Sequence, residues 1–260
     1  MALSDDAVGA IRRMILDGRL RAGDRLPVEK DLAAELGLSR GTLREAVRAL
    51  TLIGVLDTRQ GDGTYVTSLE PHLLLGSLSF TMDLHQDSSE LFLLETRRAL
   101  ESHATSQAAV RLRDPDLAEL GRILDAAEAL LDADEADHDA LLAHDREFHR
   151  TIVRSAGNPV LTALTESLSG QTMRARLWRE LTDEGAARRT LGEHRAILDA
   201  LRARDPELAR IRAAVHVAGV EDFVRAQIRA GRTGGPAGFV PPVVSATPRP
   251  RRARPAEPLG

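Results

Sequence analysis

The chain has no cysteine, a single lysine and few aromatic residues. Without cysteine there are no disulfides and no thiolate-ligated zinc, so any metal must be held by imidazole and carboxylate. Aromatic residues make up 3% of the 260, which argues against stacking platforms for single-stranded nucleic acid. No apolar run reaches membrane-spanning length and no signal-peptide pattern is found, so a soluble, cytoplasmic protein with no membrane partner is expected. Lys30 is the only lysine, and arginine carries the remaining positive charge. The formal net charge is −4, so affinity for nucleic acid would have to come from local clustering of arginine. Hydrophobic residues are 43% of the chain, enough for a core in each of two domains, and the abundance of Ala, Leu, Arg and Glu favours a mainly α protein.

The stretch LSRGTLREAVRALTL, Leu38 to Leu52, reads as a nucleic-acid-reading helix. Ser39 is a good N-cap, and Leu43, Ala46, Val47 and Leu50 recur at helical spacing toward a core. Arg40, Arg44 and Arg48 lie four apart on another flank and offer three guanidinium forks, suited to phosphate oxygens and to the paired acceptors of guanine. The bland alternative is a solvated face paired with Glu45 and its neighbours. Two helices precede this one: Asp5 to Leu16, capped by Ser4 or Asp5, and Glu29 to Leu36, closed by Gly37. After Gly54, VLDTRQGDGTYVT places β-branched residues on both sides of Gly61-Asp62-Gly63, the pattern of a small hairpin. Three helices and a hairpin predict a winged helix-turn-helix over residues 1–69.

Residues 70–89 read as a linker that becomes a helix. From 90 to 230 amphipathic helices alternate with short breaks, predicting an all-α bundle of six or seven helices. Asp114-Pro115, Asn158-Pro159 and Asp205-Pro206 each place a capping residue before a proline suited to the first turn. Residues 231–260 are rich in Gly, Pro and Arg and are expected to be a disordered tail.

Inside the bundle, residue type contradicts pattern at several positions. In LLAHDREFHRTIV, Asp145 and His149 share a face with Leu141, Phe148 and Ile152. His194 lies among Leu191, Ile197, Leu198 and Leu201, and His216 among Leu208, Ala213, Val220 and Phe223. A lone histidine of this kind is more often a satisfied core residue than a ligand. Three such imidazoles and one carboxylate nevertheless form a set suited to a divalent transition metal, zinc first and manganese, nickel or iron next. Arg97 lies on the stripe of Leu93, Leu100, Ala104 and Ala108, where a guanidinium needs a partner. The internal partners on offer are Glu101, four residues on, and Glu95 nearby.

The runs GDRLPVEKDLAAELGLSRGTLREAVRAL and TRQGDGTYV resemble the N-terminal domain of GntR-type transcription regulators. The resemblance implies that Lys30, Ser39, Arg40, Thr42, Arg44 and Arg48 contact DNA and that Gly61 to Gly63 form the tip of the wing. The sequence departs from the family at Val28, where a capping Ser is usual, at Lys30, which replaces an Arg, and at Asp62, which replaces a basic or polar residue. LFLLETRRALE, HDREFHRTIVRSAGNPVL and EHRAILDAL resemble the FCD ligand-binding domain of FadR-like members. That similarity implies Asp145, His149, His194 and His216 as metal ligands and Arg97 as the receiver of an effector carboxylate, with Arg174, Arg98 and His103 as further candidates. The expectation is a homodimeric, ligand-responsive regulator, a repressor on an inverted-repeat operator, controlled by a small organic acid. The alternatives are a metal-dependent enzyme acting on a small carboxylate and a sensor of the metal itself.

Overall fold

The structure, a computed structural model, describes residues 2–74, 89–133 and 137–232. Most of the linker expected over 70–89, and nearly all of the tail expected over 231–260, lie outside the described residues. The elements run α1 (Ala2–Leu16), α2 (Glu29–Leu36), α3 (Arg40–Leu52), β1 (Leu56–Arg59), β2 (Gly63–Val66) and α4 (Pro71–Leu74). They continue as α5 (Ser89–Ala109), α6 (Asp114–Leu131), α7 (His138–Ser155), α8 (Pro159–Gln171), α9 (Met173–Thr182), α10 (Ala186–Arg202) and α11 (Pro206–Arg229).

The N-terminal elements form a winged helix-turn-helix. Ile11 and Met14 of α1, Leu32 and Ala33 of α2, and Leu43, Val47 and Leu50 of α3 bury together with Leu56 and Val66 of the hairpin. β1 and β2 pair antiparallel from Leu56↔Val66 to Arg59↔Gly63. The Leu26 N–H donates to Thr64 O at 2.8 Å and the Val66 N–H to Asp24 O at 2.9 Å, tying the α1–α2 connection to the wing. α1 starts at Ala2, so neither Ser4 nor Asp5 caps it as expected; Ala2 and Leu3 extend the helix instead.

Val28 occupies the N-cap of α2 and gives no side-chain hydrogen bond. Val28→Ser is expected to supply that bond and stabilise the domain by about 1 kcal/mol. The change would be read as a higher urea midpoint at constant slope, and an unmoved midpoint would count against the capping account.

Among the described residues the C-terminal part is a bundle of seven helices, α5 to α11. α5 lies at its centre and packs on α7, α8, α10 and α11. It runs antiparallel to α11: Leu94 meets Val217, Val220 and Val224, while Ala108 shares a cluster with Ala209 and Ala213. Small residues at that second contact allow the helices to approach closely. Asn158 Oδ1 accepts from the Val160 and Leu161 N–H groups, and Asp205 Oδ1 from those of Glu207 and Leu208, as their positions before proline require. Asp114 does not cap α6. It lies in the first turn, Arg113 is the N-cap residue, and Asp116 Oδ2 turns back to the Arg113 N–H at 3.1 Å.

The short helix α4 packs on α8, and its Leu73 comes close to Gly54 of the winged domain. Gly54, at φ +78°, lies so near it that a Cβ there would be 2.5 Å from Leu73 O.

Candidate metal centre and nucleic-acid interface

On α3 the Ser39 Oγ accepts the Thr42 N–H at 3.1 Å and fixes the first turn. Burial of Leu43, Ala46, Val47 and Leu50 turns Arg40, Arg44 and Arg48 outward. Arg44 reaches Glu29 at 3.2 Å and Arg48 reaches Glu45 at 3.0 Å. Both pairs are exposed, and such pairs contribute no more than about 1 kcal/mol, so phosphate can displace the carboxylates. Arg40 has no ion pair among the described residues, and Lys30 is exposed at the start of α2. Thr42 is half-buried, its Oγ1 2.8 Å from Ser39 Oγ. At the wing, Gly61 and Gly63 adopt φ +74° and +148°. A Cβ on Gly63 would lie 2.5 Å from Arg25 Nε. Arg25 donates to the Asp62 carbonyl, so a guanidinium missed by the sequence reading lies over the acidic wing tip.

Within the bundle, α7 supplies Asp145 and His149, α10 supplies His194 and α11 supplies His216. All four are buried, and one ligand atom from each lies within 4.8 Å of the others. His194 Nε2 is 3.4 Å from His216 Nε2 and 3.6 Å from Asp145 Oδ1, and His149 Nε2 is 3.8 Å from the same oxygen. Donors held about 2.0 to 2.2 Å from one tetrahedral ion stand roughly 3.3 to 3.6 Å apart, so the residues present fit such an ion. The His149 Nε2 is buried with no hydrogen-bond partner among the described residues, a cost that a ligand would remove. Phe148 stacks on His194 at 4.6 Å between centroids and closes one side.

Residues 3–66 match the family described as "Bacterial regulatory proteins, gntR family", and residues 92–219 match the FCD domain. The chain is 30% identical over 223 residues to the "Uncharacterized HTH-type transcriptional regulator YcbG" of Bacillus subtilis (strain 168), covering 85% of this chain and 90% of that one. The chain belongs to the GntR family. It is 27% identical over 211 residues to the galactonate operon transcriptional repressor of Escherichia coli (strain K12), covering 79% of this chain and 90% of that protein. The solved structure of Streptococcus agalactiae GntR superposes with a TM-score of 0.59 at 26% identity, over 84% of this chain and 99% of that one. Both matched regions and the named relatives are those of transcriptional regulators, so this GntR protein is a regulator and not the metalloenzyme weighed above.

In this GntR regulator three of the four clustered residues have a partner on their far atom. Glu101 Oε2 lies 3.3 Å from His149 Nδ1, Glu193 Oε2 lies 2.8 Å from His216 Nδ1, and Arg176 Nη1 donates to Asp145 Oδ2. Such partners fix ring orientation and tautomer, leaving Nε2 toward the centre. Burial, followed by the neighbouring imidazoles and Arg97, holds His149 and His194 well below the ordinary histidine value. Burial also lowers His216, although Glu193 opposes it. The imidazoles are therefore neutral, as metal ligation requires.

Arg97 is fully buried and engaged by Glu101, with Nε at 2.5 Å from Oε1 and Nη2 at 3.3 Å from Oε2. The internal pair weighed for Arg97 is thus formed, and Nη1 is left facing Thr172 Oγ1 at 3.4 Å. His103 and Arg174 are exposed and do not join the centre, because their positions on α5 and α9 face solvent. Arg98 is spent on Glu221 at 2.7 Å. The sequence reading passed over Arg176, Arg179, Glu180 and Glu193. Glu180 lines a cleft beside Asp145 and His194, and burial pushes its carboxyl up to about 7 against the pull of Arg176 and Arg179.

Proposed function

We propose that this regulator is an effector-controlled repressor that binds an inverted-repeat operator as a homodimer. Its bundle holds one divalent transition metal, zinc first, with Asp145, His149, His194 and His216. A small organic acid binds at that metal and at the Nη1 edge of Arg97. The observation that carries the reading is the buried four-residue group with its unpartnered His149 Nε2. Bound by these four ligands, the metal would have to expand to five- or six-coordination to supply a Lewis-acidic position for a carboxylate, which Arg97 and Thr172 would orient. The name of the galactonate operon repressor favours a hydroxy or sugar acid as the effector.

For DNA, Arg40, Arg44 and Arg48 form the reading face, with Lys30 beside them. Ser39 and Thr42 shape the first turn of α3, and Gly61 and Gly63 shape the wing. One short helix offers few base contacts, and two-fold symmetry doubles them. Ile211 and Val215, exposed four residues apart on α11, offer an apolar patch that a second copy would cover. Arg40→Ala and Arg44→Ala are expected to weaken operator binding by about 1 to 3 kcal/mol each in matched salt, with two chains per inverted repeat. Wild-type affinity in both variants would remove α3 from the interface.

Effector and operator are coupled through elements that touch. Arg97 and Glu101 lie on α5, Asp145 and His149 on α7, α8 packs on both, and α4 joins α8 to Gly54 beyond the end of α3. An effector that draws α5 and α7 together can therefore shift the reading helices. Coupling of this kind is typically ~1 to 3 kcal/mol, or 5- to 150-fold in affinity. Arg97→Lys keeps the charge opposite Glu101 but loses the planar fork. It is expected to blunt effector-driven release while sparing operator binding without effector. An unaltered response in that variant would place the effector carboxylate away from Arg97. If metal alone, with no acid, produced the full release, the protein would be a metal sensor.

A further inference from the structure

Asp62 puts a negative charge at the tip of the wing, and negative charge there repels phosphate. The chain brings a cation over that tip from another segment. Arg25 belongs to the α1–α2 connection, whose backbone is held beside β2. Arg25 and Tyr65 form an isolated antiparallel bridge, the Leu26 N–H donates to Thr64 O at 2.8 Å, and the Val66 N–H donates to Asp24 O at 2.9 Å. From that edge the guanidinium reaches the turn of the hairpin, where Nη2 donates to the Asp62 carbonyl. It passes over Gly63, where a Cβ would stand 2.5 Å from Nε, so the absence of a side chain there gives the guanidinium its path. Backbone on both sides therefore sets the position of this charge.

A cleft of about 400 Å³ separates the wing from α2 and α3, and Arg25, Glu29, Arg59 and Asp62 line it above Leu43 and Val47. The other charges around it are met within the domain. Glu29 takes Arg44 at 3.2 Å, Asp57 takes Arg59 at 3.1 Å, and Asp24 accepts the Arg21 N–H at 2.7 Å. Arg59 also lies over the Tyr65 ring, 4.3 Å from its centroid. Arg25 and the Asp62 carboxylate have no ion pair among the described residues, because Arg25 holds the carbonyl of Asp62 and not its acid. Arg25 is exposed and keeps N–H groups beyond the one given to that carbonyl. Arg44, joined to Glu29 across the cleft, belongs to the outward flank of α3, so Arg25 stands between that flank and the wing tip. A duplex with α3 in its major groove and the wing in the adjacent minor groove lays one sugar-phosphate strand across that interval. We propose that Arg25 holds a backbone phosphate at this crossing and supplies the wing with the positive charge that its tip lacks. A phosphate suits a guanidinium tethered on one side, since it accepts from the remaining N–H groups without the side chain entering a groove. The inference rests on the DNA reading of α3 in the proposed function and adds a contact from outside both α3 and the hairpin.

The test uses the full-length chain and two duplexes, one selected by the wild-type protein from a random-sequence library and one of the same composition in shuffled order. Affinity for each is measured across a salt series. Arg25→Gln keeps an N–H for the Asp62 carbonyl but removes the charge, so the tether to the wing is retained. It is expected to weaken both duplexes by the same factor, roughly 10-fold at matched salt, and to lower the slope of log affinity against log salt by about 0.9 for each chain bound. Arg25→Lys is expected to restore the slope, because an ammonium serves a phosphate as a point charge. Asp62→Asn, which leaves Arg25 in place, is expected to tighten both duplexes, and it carries the test if Arg25→Gln fails to fold by circular dichroism. A weakened Arg25→Gln complex with the wild-type slope would make Arg25 a brace of the wing and overturn the proposal. Loss on the selected duplex alone would make it a reader of bases and overturn the phosphate assignment. Unchanged affinity in both Arg25→Gln and Asp62→Asn would remove this crossing from the interface, with α3 still standing if Arg40→Ala weakens binding. A wild-type chain that selects no duplex removes the DNA reading of α3, and the inference with it.

Discussion

Stripping the metal from the bundle is expected to lower the stability of the protein by about 4 kcal/mol when the free metal stands near a thousand times its Kd. For a chain of this size that corresponds to a fall of roughly 10 °C in melting temperature. The size of the effect follows from where the four clustered residues lie: Asp145 and His149 on α7, His194 on α10 and His216 on α11 converge only in the folded chain, so an ion held by them would bind the native state alone. His194→Ala is expected to abolish the response to chelator, whereas His103→Ala, at an exposed position of α5, should leave it intact. Acid should act in the same direction as chelator. Burial holds all three imidazoles below the ordinary value of 6.5, so below that pH the unfolded chain takes up protons that the folded chain refuses. The contribution of the imidazoles is therefore full above about pH 6.5 and falls as the pH drops through it, opposed in part by Glu180, whose raised carboxyl takes up its proton more readily in the folded chain, and protons compete with metal for the imidazoles over the same range. Elemental analysis paired with melting curves, with and without chelator, checks both. A chain free of metal after purification without chelator, and unmoved by added zinc, would leave the cluster as a packed set of core histidines.

The outward arginine flank of α3 and the buried Asp/His cluster were both legible because a helix converts spacing into direction. Leu43, Ala46, Val47 and Leu50 fell on one stripe in the sequence and are the buried residues of α3. Asp145, His149, His194 and His216 stood out because each interrupts an apolar stripe, and each is buried. Periodicity says which face of a helix turns inward but not which helices then meet. Arg176 is 31 residues from Asp145 and Glu193 is 23 from His216, so these contacts depend on how α9, α10 and α11 pack. Helix α9 gave a further obstacle. From Met173 to Arg179 nearly every residue is buried, so there was no polar face against which Arg176 and Arg179 would look misplaced. Arg25 was hidden for a similar reason, since its hydrogen bond to the wing at Asp62 spans 37 residues and depends on Arg25 lying opposite Tyr65 of β2 in an isolated antiparallel bridge. Asp114 shows the limit of a local signal. Asp before Pro predicted a cap, but Asp116 can reach the Arg113 N–H and the helix begins one residue earlier.

Glu101→Ala is expected to destabilise the chelator-treated protein by about 3 to 5 kcal/mol, the usual result of leaving one member of a buried ion pair without the other. Arg97 is fully buried, and Glu101 takes its Nε and Nη2, so the alanine variant would strand a guanidinium whose remaining hydrogen bond among the described residues is to Thr172 at 3.4 Å. His149 would also lose the carboxylate 3.3 Å from its Nδ1, and with it the partner that orients the ring. Two effects are thus combined in one substitution, and they can be separated. Stability measured by urea in the presence of chelator reports the stranded Arg97, while metal affinity of the surviving folded protein reports the loss at His149, for which a 10- to 100-fold weakening is expected. Replacing both members, Arg97→Met with Glu101→Leu, removes the charge and its counter-charge together. Apolar side chains of similar volume in their place are expected to restore most of the stability, since buried ion pairs contribute little net energy against a well-packed apolar alternative. The restored protein would still bind metal poorly, because His149 would lack its acceptor. A Glu101→Ala chain within about 1 kcal/mol of wild type in chelator would mean that water reaches Arg97 and that the pair is not the buried one described. Full recovery of metal affinity in the double variant would mean that His149 is held by its own helix, and that Glu101 serves Arg97 alone.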